Sequence, residues 1–222
     1  MIVKQNEAVE LAFILKKNIL NQHKISVLTQ KHGKIYLLEN SIKKSQFLWP
    51  GMLISFKLHD MKYQKQNYFV CSNIEILLSP DKNFDLNWIH HVLELCYYFI
   101  PLQDSCDKIF GFVFNCFLFS KLELIFEEHV FLIRSVSLLK FLEITGCYLS
   151  SDFSKYLQLY QNLTNFLVNI ANKQKEDFLR TNLDQISEFE IKKITKWIFS
   201  CISQHPCSKL FKTCFKNNFS NL

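Results

Sequence analysis

Apolar residues alternate with a two-residue period up to about residue 79, follow helical spacing from residue 86 onward, and change pattern at a Ser79-Pro80-Asp81 break. These observations predict an α+β chain of two domains, a five-stranded β-barrel over residues 1–80 followed by an all-α helical domain over residues 81–222. With 222 residues, 49% of them hydrophobic, the chain can bury a substantial core.

Five strands are expected: Leu11 to Asn18, His23 to Thr29, Gly33 to Glu39, Met52 to Asp60 and Asn67 to Ser79. The fourth carries the clearest alternation, with Met52, Ile54, Phe56 and Leu58 on a core face and Ser55, Lys57 and His59 on a wet one. The run Lys31-His32-Gly33-Lys34 reads as the turn between strands two and three, Gly33 supplying a positive φ. Trp49-Pro50-Gly51 breaks the chain before strand four. Strands this short and this numerous, with no helix-length pattern between them, suggest a barrel of the OB type, with an SH3-like barrel as the alternative.

Helices are expected at Leu86 to Phe99, Asp107 to Leu122, Phe126 to Thr145, Phe153 to Asn172, Glu188 to Gln204 and Ser208 to Asn217. Pro101 and Gly146 are natural stops, and Ser187 with Glu190 has the spacing of a capping box. The most apolar run, Ile109 to Phe119, is 11 residues long, against the roughly 20 that a membrane-spanning helix needs, and reads as a buried core helix. The aromatic-rich segment from Phe110 to Phe141 is core, or in part a groove for a partner peptide.

Charge is distributed unevenly. Residues 1–80 hold 11 lysines against 5 acids (+6), residues 81–190 hold 9 basic against 15 acidic residues (−6), and residues 191–222 hold 6 lysines and no acid (+6). Basic ends flanking an acidic middle suggest a polyanion held by the ends and protein partners held by the middle. Within the expected barrel, Lys31 and Lys34 flank the turn, Lys43 and Lys44 follow strand three, Lys57 lies on strand four, and the loop Asp60 to Tyr68 carries Lys62 and Lys65 with Tyr63 and Tyr68. Single-strand binding takes ammonium groups along the phosphates and rings that stack on bases. Tyr36, Tyr63, Phe47 and Trp49 are the candidate stacking residues. Lysines also solubilise small barrels and aromatics also fill their cores, so composition alone leaves both readings open.

The run LTQKHGKIYLL, followed by Lys43-Lys44-Ser45 and Leu48-Trp49-Pro50, resembles the N-terminal barrel of the RecO family of DNA repair and recombination mediators. The matching positions are Thr29, Gly33 and Lys34, with Ala12 to Lys16 as the apolar first strand. Phe141-Leu142 through Gly146-Cys147-Tyr148-Leu149 resembles the family's long helix and glycine-tyrosine step, and Ser208 to Lys212 its closing segment. The resemblance implies an OB-fold and a helical domain that bind single- and double-stranded DNA, anneal strands, and work with RecR, RecA and single-strand binding protein. Two departures stand out: Glu39-Asn40-Ser41-Ile42 replaces the small-residue step before the basic cluster, and Ser150 to Asn172 lacks the paired cysteines of the zinc knuckle that many members carry. No metal or cofactor is therefore expected.

Signals for enzymatic chemistry are thin. With 4 glycines and no glycine-rich phosphate loop, nucleotide hydrolysis is not indicated. His90 or His91 with Glu94 has helical spacing without the HExxH order, and Glu127-Glu128-His129 reads as a solvated helix start. Cys201, His205, Cys207 and Cys214 lack a paired C-x-x-C and read as core or surface thiols. The N-terminus lacks an export-signal pattern, and cysteines within apolar pattern behave as small hydrophobes, so a cytoplasmic location is expected. The expectation is a non-enzymatic DNA mediator; the alternative is an adaptor whose barrel binds peptides.

Overall fold

A computed structural model describes residues 9–17, 24–39, 48–59, 68–80, 84–102, 107–146, 153–167 and 173–207. The chain divides into two compact units, Met1–Phe110 and Gly111–Leu222. The first contains strands β1 (Val9–Lys17), β2 (Lys24–Thr29), β3 (Gly33–Glu39), β4 (Leu53–His59) and β5 (Tyr68–Leu78), closed in the order β1-β2-β3-β5-β4. All neighbours run antiparallel except β3 and β5, which are parallel.

Alternation decides which side chains fill the barrel. Ala12 and Ile14 of β1, Ile25 and Val27 of β2, Ile35 and Leu37 of β3, Ile54 and Phe56 of β4, and Cys71 and Ile74 of β5 form one interior cluster. Burying an aliphatic or aromatic side chain of this kind contributes about 1.5–3 kcal/mol, which is what holds the strands in register. The expected core face of β4 is the observed one, whereas Ser55 on the opposite face is buried rather than wet. β5 carries one extra residue against β4 between the Ser55–Glu75 and Lys57–Ser72 pairs, and Asn73 takes a positive φ of 53° there, a conformation that asparagine tolerates better than most residues.

The β2–β3 turn forms where expected. Gly33 has a φ of 64°, and the Thr29 hydroxyl accepts from the His32 N–H at 2.9 Å while donating to the Gly33 carbonyl at 3.1 Å. Gly51 breaks the chain ahead of β4 with a φ of 92°, and a β-carbon there would stand 3.0 Å from Pro80 and 3.5 Å from Ile89. Glycine is thus required both for its backbone and for the close approach of the next element.

That element is helix α1 (Leu86–Phe99), which packs beside β1 and starts on Asp85, whose carboxylate accepts from the N–H groups of Asn87 and Trp88. Trp88, Ile89, Val92, Leu93, Leu95 and Cys96 lie on its buried stripe, and His91 is buried with them while His90 is exposed. Helix α2 (Asp107–Ile125) begins in the first unit, where the rings of Phe110 and Phe13 lie 5.2 Å apart. As expected, its apolar run is a buried core helix: Ile109, Phe112, Val113, Cys116, Phe117, Phe119 and Leu122 are all buried. Among the described residues no helix is long and apolar enough to cross a membrane.

In the second unit a 3₁₀ turn (Glu127–His129) leads into α3 (Val130–Ile144), which is buried over most of its surface, Phe131 and Glu143 being exposed, and packs against α4 (Ser154–Leu167) and α6 (Glu188–Gln204). Its few polar side chains are satisfied locally: Ser135 shares a hydrogen bond with Thr195, and Ser137 donates to the Ile133 carbonyl. Gly146, with a φ of 85°, closes the helix. Helix α5 (Lys173–Asp184) has no counterpart among the expected helices, because only Leu179 and Leu183 are buried on it and its remaining residues are mostly polar. It is tied to the 3₁₀ turn by Arg180 on Glu128 and by His129 on Asp184, and to the end of α2 by Arg180 on the Ile125 carbonyl. The expected helix over Ser208 to Asn217 lies outside the described residues.

The capping box of α6 is present. Glu190 accepts from the Ser187 N–H at 3.0 Å, from Tyr156 of α4 at 3.2 Å, and from the Lys155 ammonium. The Lys155 bond first, and the Ser187 N–H next, pull the Glu190 carboxyl from an ordinary 4.5 down to about 2. A carboxyl with a depressed folded-state pKa stabilises the fold above its unfolded value and loses that contribution as pH falls through the folded value. Glu190→Gln is therefore expected to lower stability at pH 7 by no more than about 1 kcal/mol, the group being partly solvent-screened. In thermal melts the gap from the parent protein should close as pH falls from 4.5 to about 2.

Candidate nucleic-acid interface

The outer face of the barrel carries a row of side chains set by strand register. Lys16 of β1 pairs with Ser26 of β2, Ser26 with Tyr36 of β3, and Tyr36 with Tyr68 of β5. Strands lie about 4.8 Å apart, so the row runs across roughly 14 Å of sheet. Ser26 and Tyr36 point outward because their strand neighbours, Ile25 and Val27 or Ile35 and Leu37, fill the barrel, and Tyr68 because its neighbour Phe69 packs against that core; Lys16, in step with the inward-facing Ala12 and Ile14, joins the row through the register shift of β1 between Ile14 and Lys16.

Lys24, two residues before Ser26 and on the same face, reaches over both rings. Its ammonium stands 4.6 Å from the Tyr36 centroid and 4.4 Å from that of Tyr68, and it donates to the Tyr68 hydroxyl. The two rings are 5.8 Å apart and inclined by 46°. Tyr97, near the end of α1, joins the group from the side, with Lys16 4.7 Å and Lys34 5.2 Å from its ring centroid. Burial first, and a hydrogen bond with Tyr97 next, raise the Tyr36 hydroxyl above its ordinary pKa, while the Lys24 ammonium pulls the other way. Among the described residues neither Lys16 nor Lys24 forms an ion pair with a carboxylate. The chemistry on offer is aromatic faces beside positive charge, suited to a polyanion that carries flat rings.

A second cation–aromatic pair lies at the same end of β1, where the ammonium of Lys17 stands 6.0 Å from the ring of Trp49. Trp49 is 63% exposed, one of the largest apolar surfaces on this unit.

The residues singled out from the sequence fare differently. Tyr36 sits at the centre of the row. Lys34 does not reach it as a surface charge: it is 8% exposed, and its ammonium donates at 2.6 Å to the Tyr97 carbonyl in the last turn of α1. That is a cation placed on the negative end of a helix, a structural task. Lys31 extends from the turn but bonds the buried Glu10 carboxylate at 2.9 Å. Lys57 faces outward between Val9 and Ser72, at the end of the barrel where β1 begins. Lys31 and Lys57 therefore do not gather around Tyr36, and Lys34 meets the group only through Tyr97, whose carbonyl holds its ammonium and whose ring lies beside it. Lys43, Lys44, Lys62, Lys65, Tyr63 and Phe47 lie outside the described residues.

Lys16, Lys24 and Tyr97 are the members that the sequence pattern does not single out, while Tyr68 is noted there only beside Lys62 and Lys65 and not among the candidate stacking residues. Lys24 and Tyr68 open their strands, where alternation assigns them to the solvent face, but their meeting depends on the parallel β3–β5 closure. Tyr97 comes from a helix about sixty residues further along the chain, and no local pattern announces it. Among the described residues no group of three histidine, cysteine, aspartate or glutamate side chains is placed to hold a metal ion.

Compared with models of known protein families and with curated protein sequences, the chain matches none.

Proposed function

We propose that this protein is a non-enzymatic DNA repair and recombination mediator. Its barrel, read as the OB type, holds the DNA backbone, and its helical part engages partner proteins. Support for the OB reading comes from the strand order β1-β2-β3-β5-β4 with its parallel β3–β5 pairing. The β2–β3 face is where such barrels hold oligonucleotides. The observation that carries the functional reading is the convergence of Lys16 and Lys24 on Tyr36, Tyr68 and Tyr97 on that face. The surplus of six positive charges over residues 1–80 adds a field that attracts a polyanion. The likeness to RecO extends the proposal to single- and double-stranded DNA as ligands, to strand annealing and recombinase loading, and to RecR, RecA and single-strand binding protein as partners.

Salt dependence tests it. If about five ammonium groups displace counterions from a single strand, log K falls against log salt with a slope near −3.5 in fluorescence anisotropy titrations. A flat response, or binding of acidic peptides without any of oligonucleotides, would reject the proposal in favour of a peptide adaptor.

A further inference from the structure

We infer that the Tyr36–Tyr68 pair is a subsite for one unpaired nucleobase, with Lys16 and Lys24 taking the adjoining phosphates, so that this face of the barrel selects single strands over duplex. The inference rests on the nucleic-acid reading above and adds to it the class of strand.

Three features of the row point the same way. The two tyrosine rings stand side by side on neighbouring strands, half-exposed, and offer together a surface wider than one ring. Their occupant is the ammonium of Lys24, which contacts both faces and the Tyr68 hydroxyl. A phosphate can draw that ammonium away, exchanging one electrostatic contact for another and leaving the rings to a base. The third feature is Ser26, which lies in register between Lys16 and Tyr36, is 4% exposed, and whose hydroxyl has no hydrogen-bond partner among the described residues. An unmade hydrogen bond at a buried hydroxyl is unfavourable, and a polar ligand edge in the row would supply one.

Strand selectivity follows from what a duplex exposes. Its bases are stacked on each other and paired, so their faces cannot lie on a ring held in a sheet, whereas its phosphates reach any lysine. A site made of lysines alone would treat strand and duplex alike, and a site that adds ring faces favours the unpaired strand.

The full-length protein is titrated with a labelled oligothymidine and with a hairpin duplex. Replacing both rings by leucine (Tyr36→Leu with Tyr68→Leu) is expected to weaken single-strand binding by about tenfold or more and to change duplex binding less than about twofold. The phenylalanine pair (Tyr36→Phe with Tyr68→Phe) keeps the ring faces and should keep the single-strand affinity. Independently of any substitution, an oligonucleotide bearing 5-iododeoxyuridine should photocrosslink to Tyr36 or Tyr68 of the unaltered protein, as located by mass spectrometry. The inference is overturned if the crosslinks map elsewhere. It is equally overturned if a leucine pair with native circular dichroism keeps its single-strand affinity or binds strand and duplex more weakly in equal measure; in those cases DNA binding itself stands. Failure of the unaltered protein to bind either nucleic acid would remove the nucleic-acid reading and this subsite with it.

Discussion

Arg134→Met is expected to destabilise the protein by about 3–5 kcal/mol, measured by urea unfolding at neutral pH, because it leaves the Glu123 carboxylate in place without its guanidinium. The pair joins α2 to α3 through two parallel bonds, Arg134 Nε to Glu123 Oε1 at 3.0 Å and Nη2 to Oε2 at 2.7 Å. Their side chains are 14% and 9% exposed, so water compensates little for either charge. The bidentate geometry is special to arginine, of which the chain has 2 against 24 lysines. Lysine at position 134 would supply the charge without the fork and is expected to recover only part of the loss.

Removing both partners should behave differently. Glu123→Leu combined with Arg134→Met deletes the desolvated charges together, and such replacements are commonly neutral or stabilising by about 1–4 kcal/mol. If the double variant is instead as unstable as Arg134→Met alone, the cost lies in the missing packing of the arginine stem rather than in an orphaned carboxylate.

How much of this can be read from the sequence depends on the range of the interaction. The β4 core face follows from strict alternation within seven residues, and the structure has the same four side chains facing inward. The turn at Gly33 and the capping box at Ser187 are equally local, a φ requirement in one and a three-residue spacing in the other. Helix α5 escapes the sequence pattern because periodicity is carried by apolar residues, and two buried leucines in twelve residues give almost none. Lys31 and Lys34 look alike in sequence, since each borders the same turn. Their fates separate only because β1 brings Glu10 to one and α1 brings the Tyr97 carbonyl to the other. The candidate interface is legible as a type, aromatic beside lysine on strands two and three, and illegible in its membership. Which lysine meets which ring is decided by barrel closure and by the docking of α1, neither of which leaves a mark on neighbouring residues.

That difference in fate yields the second large effect, a separation of stability from binding between lysines of one face. Lys34→Glu places a carboxylate against the Tyr97 carbonyl at the negative end of α1, losing a buried charge-assisted bond and adding repulsion, and is expected to cost about 3 kcal/mol of stability. Lys16→Glu with Lys24→Glu changes side chains that, among the described residues, meet ring faces and one hydroxyl, so stability should shift by about 1 kcal/mol or less. The same double variant is expected to weaken single-strand binding by at least about tenfold. With two phosphates no longer neutralised, at about 0.7 each, it should also flatten the log–log salt slope by about 1.4. Urea unfolding and salt-dependent anisotropy on the two variants read the two quantities separately. Were Lys16→Glu with Lys24→Glu to bind as tightly as the parent protein while Lys34→Glu remained folded but no longer bound, the interface would have to be moved from the tyrosine row to the turn beside β3. The ammonium of Lys34 would then have to leave the helix end to reach a phosphate, exposing the Tyr97 carbonyl, and DNA binding would have to loosen α1 from the barrel as it occurred.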